Sequence, residues 1–371
     1  MSKPIFLYAF CMLSLACSHG QKLRDFNFEE PTRGIDVIEL KDGGYLLTGN
    51  ALSRSGQASS ILVKTNDSGE LIWKKNLDLT IGSSFGWSLL EFRNFYYLLG
   101  FSDSQDTTKV QLTKLDQTGL IIWKREYGKA TSQIGWSLTA RNEDLLIVGE
   151  KTGKDGKKSA WIFSVDQQGD KIWDAKTDGK GRVERTFYGS RVSGDVIVTG
   201  INAMNEKVDD DILAMRIDQV GEVVWKKTFE VGKKRDVGHA VKAYKENAYI
   251  YGYFQLESTF NPVVIQVSLD GNDSNIIKVQ VPDHDVRIMN GEKIQNGHLL
   301  VGYAKKTSEQ FFKACILRVS ETGKVVSMDT FGEQGLNSLY GVKNTGNGYA
   351  IIGTVTENRK AALTLVLLPK D

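Results

Sequence analysis

Cysteine, proline and histidine are scarce in this sequence, and each shortage excludes a class of protein or site. The 371 residues contain three cysteines, five prolines and four histidines. Three cysteines cannot form a disulfide framework, and Cys315 lies in an apolar run that is typical of a small core residue. The formal net charge is only +2. This charge gives no electrostatic reason to expect a nucleic-acid partner, and we expect none.

The motifs of common catalytic and metal sites are also missing. No G-x-S-x-G elbow, zinc-ligand spacing, phosphate-cradling loop or recognisable carboxylate pair occurs. His284 lies between two aspartates, but no further ligands follow at a suitable spacing. Residues 209–211 are all aspartate, yet neighbouring strand residues point to opposite faces and cannot converge on one ion. We therefore expect no metal, no cofactor and no enzymatic activity.

The N-terminal apolar run is too short to span a bilayer. It extends from Ile5 to Ala16, about a dozen residues, which is the length of the hydrophobic region of a signal peptide. The segment Leu13-Ser14-Leu15-Ala16-Cys17 resembles a bacterial lipobox. We expect residues 1–16 to be a lipoprotein signal peptide and residues 17–21 a tether, lipidated at Cys17. Ordinary cleavage near Ala16, leaving Cys17 unmodified, is the alternative.

A lipid on Cys17 would place the protein in the bacterial cell envelope. Residue 18 is Ser rather than Asp, and the resemblance to lipoproteins of Gram-negative envelopes then implies the outer membrane. Membrane contact is expected through this anchor alone.

Glycine is abundant, and seven of the 37 glycines recur at intervals of 49 to 52 residues. Each of them ends a short apolar run that is typical of a strand buried on both faces. Three more strands can be recognised in each interval, and a repeat of this length with several strands predicts propeller blades. The recurring glycines are Gly49, Gly100, Gly149, Gly200, Gly252, Gly302 and Gly353.

Counting the strands shows that one is out of place. The first three strands of the unit occur seven times, but the fourth follows the third only six times, because the chain ends on a third strand at residues 361–367. Residues 22–28 could supply the missing strand. We therefore predict an all-β fold over residues 22–371: a seven-bladed β-propeller of four-stranded antiparallel blades, closed by an N-terminal strand that completes the last blade.

The segment from Lys114 to Trp123 resembles the tryptophan-docking motif of propeller repeats similar to those of pyrroloquinoline-quinone proteins. In that motif a Trp four residues after a turn Gly packs on the neighbouring blade. The resemblance covers nearly the whole mature chain and implies a bacterial, lipid-anchored propeller. It does not carry quinone chemistry, because the sequence has no adjacent cysteines. It implies that four tryptophans are structural staples between blades: Trp73, Trp123, Trp173 and Trp225.

One structural position varies in chemistry from blade to blade. It lies thirteen residues before each recurring glycine, and Met289 holds it in the sixth repeat. Such variety could line a binding funnel at the propeller axis, although variable packing at the top of the inner strand is the alternative. The candidate funnel residues are Asp36, Trp87, Trp136, Phe187, His239 and Tyr340.

Two classes of connection are predicted to be long, and both emerge on the same face. In the third to fifth repeats these connections are rich in cations, which could attract an anionic polysaccharide or an acidic protein. Ordinary solvated charge is the alternative. The candidate basic sector consists of Lys154, Lys157, Lys158, Arg182, Lys233, Lys234 and Arg235.

These features lead to one expected function and an alternative. We expect an envelope lipoprotein whose propeller is a non-catalytic binding scaffold, with another envelope protein or an anionic polysaccharide as its partner. The alternative is a carbohydrate-binding or enzymatic propeller that uses the central funnel.

Overall fold

The structure is a computed structural model that describes residues 21–77, 82–104, 107–128, 132–175, 177, 183–203 and 210–370. The predicted signal peptide, the lipidation site Cys17 and Arg182 lie outside these residues. In the described ranges the chain is all-β, and none of them contains a helix long and apolar enough to cross a membrane.

The described residues form 28 strands, numbered in chain order. The first strand is β1 (Lys22–Phe26). Twelve strands follow in three groups: β2 (Thr32–Glu39), β3 (Tyr45–Leu52), β4 (Ala58–Thr65) and β5 (Leu71–Leu77); β6 (Ser83–Phe92), β7 (Phe95–Ser104), β8 (Thr107–Leu115) and β9 (Ile121–Tyr127); β10 (Ser132–Arg141), β11 (Asp144–Thr152), β12 (Lys158–Val165) and β13 (Lys171–Asp174).

The remaining strands continue the pattern. They are β14 (Val183–Val192), β15 (Asp195–Ala203), β16 (Asp210–Ile217) and β17 (Val223–Phe229); β18 (Asp236–Ala243), β19 (Asn247–Leu256), β20 (Thr259–Ser268) and β21 (Ser274–Lys278); β22 (His284–Ile294), β23 (Gly297–Lys306), β24 (Lys313–Val319) and β25 (Val325–Phe331); β26 (Ser338–Thr345), β27 (Gly348–Glu357) and β28 (Lys360–Pro369).

Each group of four is an antiparallel sheet in which consecutive strands are neighbours. The second and third sheets are joined by a single parallel bridge, between Ser132 and Thr108. The first strand of each sheet contacts the first strand of the next, and β26 contacts β2. The first strands therefore lie together at the centre, and apolar clusters fill the space between adjacent sheets.

The strand β1 is the outer strand of the last sheet. It pairs antiparallel with β28, and its register runs from Lys22 opposite Leu367 to Phe26 opposite Leu363. The Thr364 hydroxyl also donates a hydrogen bond to the Asp25 carboxylate at 2.6 Å. The two ends of the described chain thus share one four-stranded sheet, of order β1-β28-β27-β26.

The four predicted staple tryptophans are half-buried and lie against turn glycines of the following sheet. A Cβ atom added to Gly221 would come 2.6 Å from the ring of Trp173, so a larger residue could not occupy that turn without displacing the indole. The same arrangement, at 2.8 to 3.1 Å, is seen in three other pairs: Trp73 with Gly119, Trp123 with Gly169, and Trp225 with Gly271.

The seven recurring glycines have a common structural cause. Each lies in the second strand of its sheet, directly beneath a backbone carbonyl of the first strand. A Cβ atom on Gly100 would lie 1.6 Å from the Phe85 carbonyl oxygen, and at the other six the distance is 1.7 to 2.2 Å. Immediately after this contact the first strand carries a β-bulge, for example between Gly86 and Ser88. Glycine is required because only it lets the bulged strand approach so closely.

The connections on one face are shorter than predicted. Strands β3, β7, β11, β19, β23 and β27 continue past their glycines, so that only Glu257 and Ser258 join β19 to β20. The long-connection interpretation is therefore wrong for several sheets. The strand ends themselves build this face, which we call the upper face.

Candidate functional site

The bulges surround a single cavity of about 340 Å³ at the centre of the upper face. In every sheet the extra residue of the bulge projects into this cavity, because a bulge redirects a side chain that a regular strand would place elsewhere. The seven bulged residues that line the cavity are Ile35, Trp87, Trp136, Phe187, His239, Met289 and Tyr340.

Five of the six candidate funnel residues are among these bulged residues, but Asp36 is not. The bulged residue of the first sheet is Ile35. Counting thirteen residues back from Gly49 fails here because the turn between β2 and β3 is one residue longer. Three residues, 41–43, lie between Leu40 and Gly44, whose amide and carbonyl are hydrogen-bonded at this turn. In contrast, two residues join β6 to β7.

Asp36 still borders the cavity, but its carboxylate joins two sheets. Oδ1 accepts a hydrogen bond from the Val37 amide at 2.9 Å, and Oδ2 accepts one from the Leu89 amide in β6 at 2.9 Å. The Ser88 hydroxyl donates a third, at 3.3 Å. Burial raises the pKa of Asp36, while the nearby Lys343 opposes that rise. This carboxylate is a structural clip, and its hydrogen-bonding capacity is largely used within the protein.

One side of the cavity is an aromatic wall formed by four consecutive bulged residues. The rings of Trp87 and Trp136 meet edge to face with centroids 4.6 Å apart, and Trp136 meets Phe187 at 6.2 Å. Phe187 stacks on His239 at 5.5 Å. All four side chains are half-buried. They offer a rigid apolar surface to a ligand that presents a flat or C–H-rich face.

The remaining bulged residues, Ile35, Met289 and Tyr340, line the other side of the cavity together with Arg33. The Arg33 guanidinium donates a hydrogen bond to the Tyr340 hydroxyl at 2.5 Å and also lies over the Tyr340 ring. No carboxylate among the described residues lies within ion-pair distance of Arg33. Arg33 is therefore a fixed positive charge that can accept an anionic group of a ligand.

Two further arginines line the cavity and are already paired. Arg185 forms an ion pair with the buried Glu150 at 2.5 Å and lies over the Phe187 ring. Arg235 pairs with Asp210 at 3.1 Å, and its side chain is 57% exposed. Both guanidinium groups thus have carboxylate partners, whereas Arg33 has none among the described residues.

His239 and Trp136 supply polar atoms within the aromatic wall. Burial, assisted by the positive charge of Arg185, lowers the pKa of His239 to about 4. The imidazole is therefore neutral at physiological pH and can donate and accept hydrogen bonds. The indole Nε1 of Trp136 is buried and has no partner within the described part of the chain. A ligand oxygen in the cavity could accept a hydrogen bond from it.

The inner strands are packed differently towards the hairpin turns on the other face. The Lys242 ammonium forms a buried ion pair with Glu292 at 3.0 Å and donates to the Val342 carbonyl at 3.3 Å. Tyr244 also donates to Glu292, at 2.9 Å. Burial lowers the pKa of Lys242, but Glu292, Tyr188 and Tyr244 together outweigh burial, so that the pKa is raised. These contacts tie β18, β22 and β26 together, and the cavity lining ends before them.

The predicted basic sector is divided by the structure. Lys154 and Lys157 are exposed in the β11–β12 connection, and Lys233 and Lys234 are exposed before β18. Lys158 lies 3.4 Å from Glu150. Among the six sector residues that the structure describes, only Arg235 lines the central cavity.

The sequence interpretation missed Arg33 as a cavity residue, although a signal for it exists. Arg33 and Arg185 both stand two positions before the bulged residue of their sheet, and Arg287 holds the same position in the sixth sheet. A comparison of the residues two positions before the bulged ones would have shown three arginines at equivalent positions.

No protein-family model and no curated protein sequence matches this chain. Solved structures do match. The endosialidase of phage phi92 has a TM-score of 0.58 at 9% identity, covering 95% of this chain and 69% of that one. A puromycin hydrolase has a TM-score of 0.58 at 9% identity, with 90% and 52% covered. An ulvan lyase, from a new family of polysaccharide lyases, has a TM-score of 0.52 at 11% identity, with 79% of each chain covered.

At these identities the similarity shows the fold, which is a β-propeller. The three similar structures are an endosialidase, a hydrolase and a polysaccharide lyase. The expectation of a non-catalytic scaffold, and with it the expectation of no enzymatic activity, is therefore contradicted. The sequence led to this error because the absence of known linear motifs was taken as absence of a site, whereas the cavity is assembled from seven strands far apart in the chain.

Proposed function

We propose that the protein is a seven-bladed propeller whose central cavity binds an anionic sugar unit and acts on the glycan that carries it. The four-stranded sheets are the blades in this proposal, and the pairing of β1 with β28 closes the ring. The contact between β26 and β2 supports closure, because it brings the first and last sheets together.

The observation that carries the proposed ligand class is the position of Arg33 opposite the aromatic wall. A sugar ring has a C–H-rich face that packs on indole and phenyl rings, and an acidic sugar adds a carboxylate for which a guanidinium is the natural partner. A cavity of about 340 Å³ lies at the lower end of the range for small-molecule sites, roughly 300–1,000 Å³, which suits a single sugar unit. Neutral sugars would leave the Arg33 charge without a partner.

We also propose that the protein is anchored in the bacterial cell envelope by a lipid on Cys17. The lipobox-like segment and the short apolar run support this. Metabolic labelling with a fatty-acid probe tests it: the wild-type chain should be labelled, and Cys17→Ala should not. Labelling of the Ala variant would overturn the assignment. Kinship with tryptophan-docking propeller lipoproteins remains a prediction.

A binding and turnover experiment tests the proposed function. Tryptophan fluorescence would report binding of galacturonate and N-acetylneuraminate, with galactose as the neutral comparison. Polymers of the two acidic sugars would be incubated with the protein and analysed for shorter products. We expect binding of at least one acidic sugar, no binding of galactose, and cleavage of the corresponding polymer.

Arg33→Met is the decisive variant. A hydrogen-bonded charge contact contributes about 1.5–3 kcal/mol, so we expect a loss of affinity of roughly ten- to a hundredfold. The matched control is Arg54→Met, which removes the same charge from an exposed residue of the upper face and should leave affinity unchanged. Equal effects of the two substitutions would contradict a specific contact at Arg33.

A further inference from the structure

A second cavity of about 310 Å³ adjoins the central one on the upper face. The two cavities share two lining residues, Arg33 and Tyr340. The second cavity extends outwards from this pair, between the sixth and seventh sheets. A molecule in the central cavity could therefore continue into the second one by passing the Arg33–Tyr340 contact.

Two buried hydroxyls line the second cavity. Ser338 and Thr354 lie opposite each other in the register of β26 and β27, and they are 7% and 1% exposed. Neither side-chain oxygen has a hydrogen-bond partner within the described part of the chain. Buried hydroxyls are normally hydrogen-bonded, because leaving one unpaired is costly. A pair of them facing one cavity matches a ligand that is itself rich in hydroxyls.

The outer wall of this cavity is apolar and held in place. The Asn337 side chain donates hydrogen bonds to the Phe312 carbonyl at 3.1 Å and to the Glu333 carbonyl at 2.6 Å, and it accepts one from the Thr356 amide at 2.8 Å. This side chain fixes the loop before β26 against the loop before β24. The loops present Phe311 and Leu336, which are 43% and 58% exposed. Such apolar surface beside buried hydroxyls suits the two faces of a sugar ring.

We propose that the second cavity is a subsite for a neighbouring sugar unit, so that the ligand is a chain of at least two sugars with its linkage beside Arg33 and Tyr340. This inference rests on the proposed function and adds the length of the ligand to it. Ser338 and Thr354 hydrogen-bond the hydroxyls of the second sugar, and the apolar rim covers its ring. The central cavity holds the acidic group of the first.

Affinity for a length series tests this subsite. The probes are galacturonate and N-acetylneuraminate chains of one to four units, titrated against the full-length protein with tryptophan fluorescence as the readout. For the wild-type protein we expect the dimer to bind about tenfold more tightly than the monomer, since a second ring adds two hydrogen bonds and apolar contact. Affinities that do not change with length would overturn the subsite.

The double variant Ser338→Ala/Thr354→Val removes the two hydroxyls at nearly constant volume. It should abolish most of the tenfold gain of the dimer and leave monomer affinity as in the wild type, which also shows that the protein is folded. Leu336→Ala, on the exposed rim, should reduce the gain more weakly. The matched control is Thr113→Val, because the Thr113 hydroxyl is equally buried and unpartnered but lines neither cavity. A double variant with an unchanged dimer gain would overturn the assignment.

The outcomes separate the two proposals. If monomers bind and length has no effect, the central site stands and the second subsite fails. If no acidic sugar of any length binds, the proposed function itself fails.

Discussion

The first strands of the sheets are built differently at their two ends. One end lines the central cavity, and the other end is packed. At the upper face each strand bulges, and the extra residues surround a cavity with an aromatic wall and with Arg33, which has no carboxylate partner among the residues that the structure describes. Towards the hairpin turns the strands are regular, and the buried Lys242–Glu292 pair joins β18 to β22. The difference shows that one local irregularity per strand is enough to open a cavity at one end of a packed core.

The largest expected change in unfolding free energy comes from removing the Lys242–Glu292 ion pair at the packed end of the first strands. Glu292→Gln leaves the Lys242 ammonium buried without its partner, which costs about 3–5 kcal/mol. Urea unfolding measures the change. The exposed pair of Lys293 and Glu321 is the matched control, and Glu321→Gln should cost less than about 1 kcal/mol. Lys242→Met/Glu292→Leu should recover much of the lost stability, and failure to do so would argue against the unpaired charge as the cause.

The next effect comes from removing a bulge at the open end. Gly100→Ala places a Cβ atom where the Phe85 carbonyl lies, so we expect a loss of about 1–3 kcal/mol in unfolding free energy and weaker ligand binding as Trp87 is displaced. Gly346→Ala is the control, because a Cβ there meets only a side-chain atom, at 3.6 Å. Similar losses for the two variants would show that the close approach is not the reason for the glycine.

His239 should make the unfolding free energy of the protein fall at acidic pH. Its pKa is about 4 when folded and about 6.5 when unfolded, so the unfolded chain binds the proton more strongly. Stability from this group is fully present above pH 6.5 and is lost as the pH falls towards 4. We expect a loss on the order of 2 kcal/mol across that window. The difference in unfolding free energy between the wild type and His239→Phe, measured from pH 7 to 4.5, isolates this contribution; parallel curves would contradict it.

The smallest effect concerns the exposed cations outside the cavity. Lys154→Gln/Lys157→Gln should slow association of an acidic polysaccharide by a few-fold at low salt, and the difference should vanish at physiological ionic strength because exposed charges are screened. Dissociation should be unchanged. Stopped-flow association rates at two salt concentrations provide the measurement. A change in dissociation would place these lysines in direct contact with the ligand.

The sequence predicted the strands well because each recurring glycine marks a steric requirement of the backbone. Gly252 must face the Val237 carbonyl whatever the surrounding side chains are, so its spacing is preserved although Ile277 replaces the staple tryptophan in the fifth sheet. The position of β1 could be predicted from a count of strands, since one was missing from the C-terminal repeat. The tryptophan pattern predicted the contacts of Trp73 and its equivalents, because each of these indoles packs against a turn glycine of the following sheet.

The site was only partly predictable. Five ring residues were found because they keep a fixed distance to a glycine, and Ile35 was missed because a turn gained one residue. The roles of Asp36 and Arg33 depend on contacts across sheets, with Leu89 in one case and Tyr340 in the other. Such contacts join residues some 50 and 300 positions apart, and no periodic pattern reports them. For this reason the sequence suggested a scaffold, although the fold contains a cavity lined by aromatic residues and arginines.

The carbonyl-over-glycine contact has a consequence for how such a molecule can change. The glycine that permits the bulge belongs to the second strand, whereas the residue that projects into the cavity belongs to the first. The second strand thus determines the shape of the backbone, and the first strand determines the side chain that lines the cavity. Ile, Trp, Phe, His, Met and Tyr can all occupy the aimed position on this one chain, so new specificities can be reached by exchanging single side chains while the architecture that displays them stays intact.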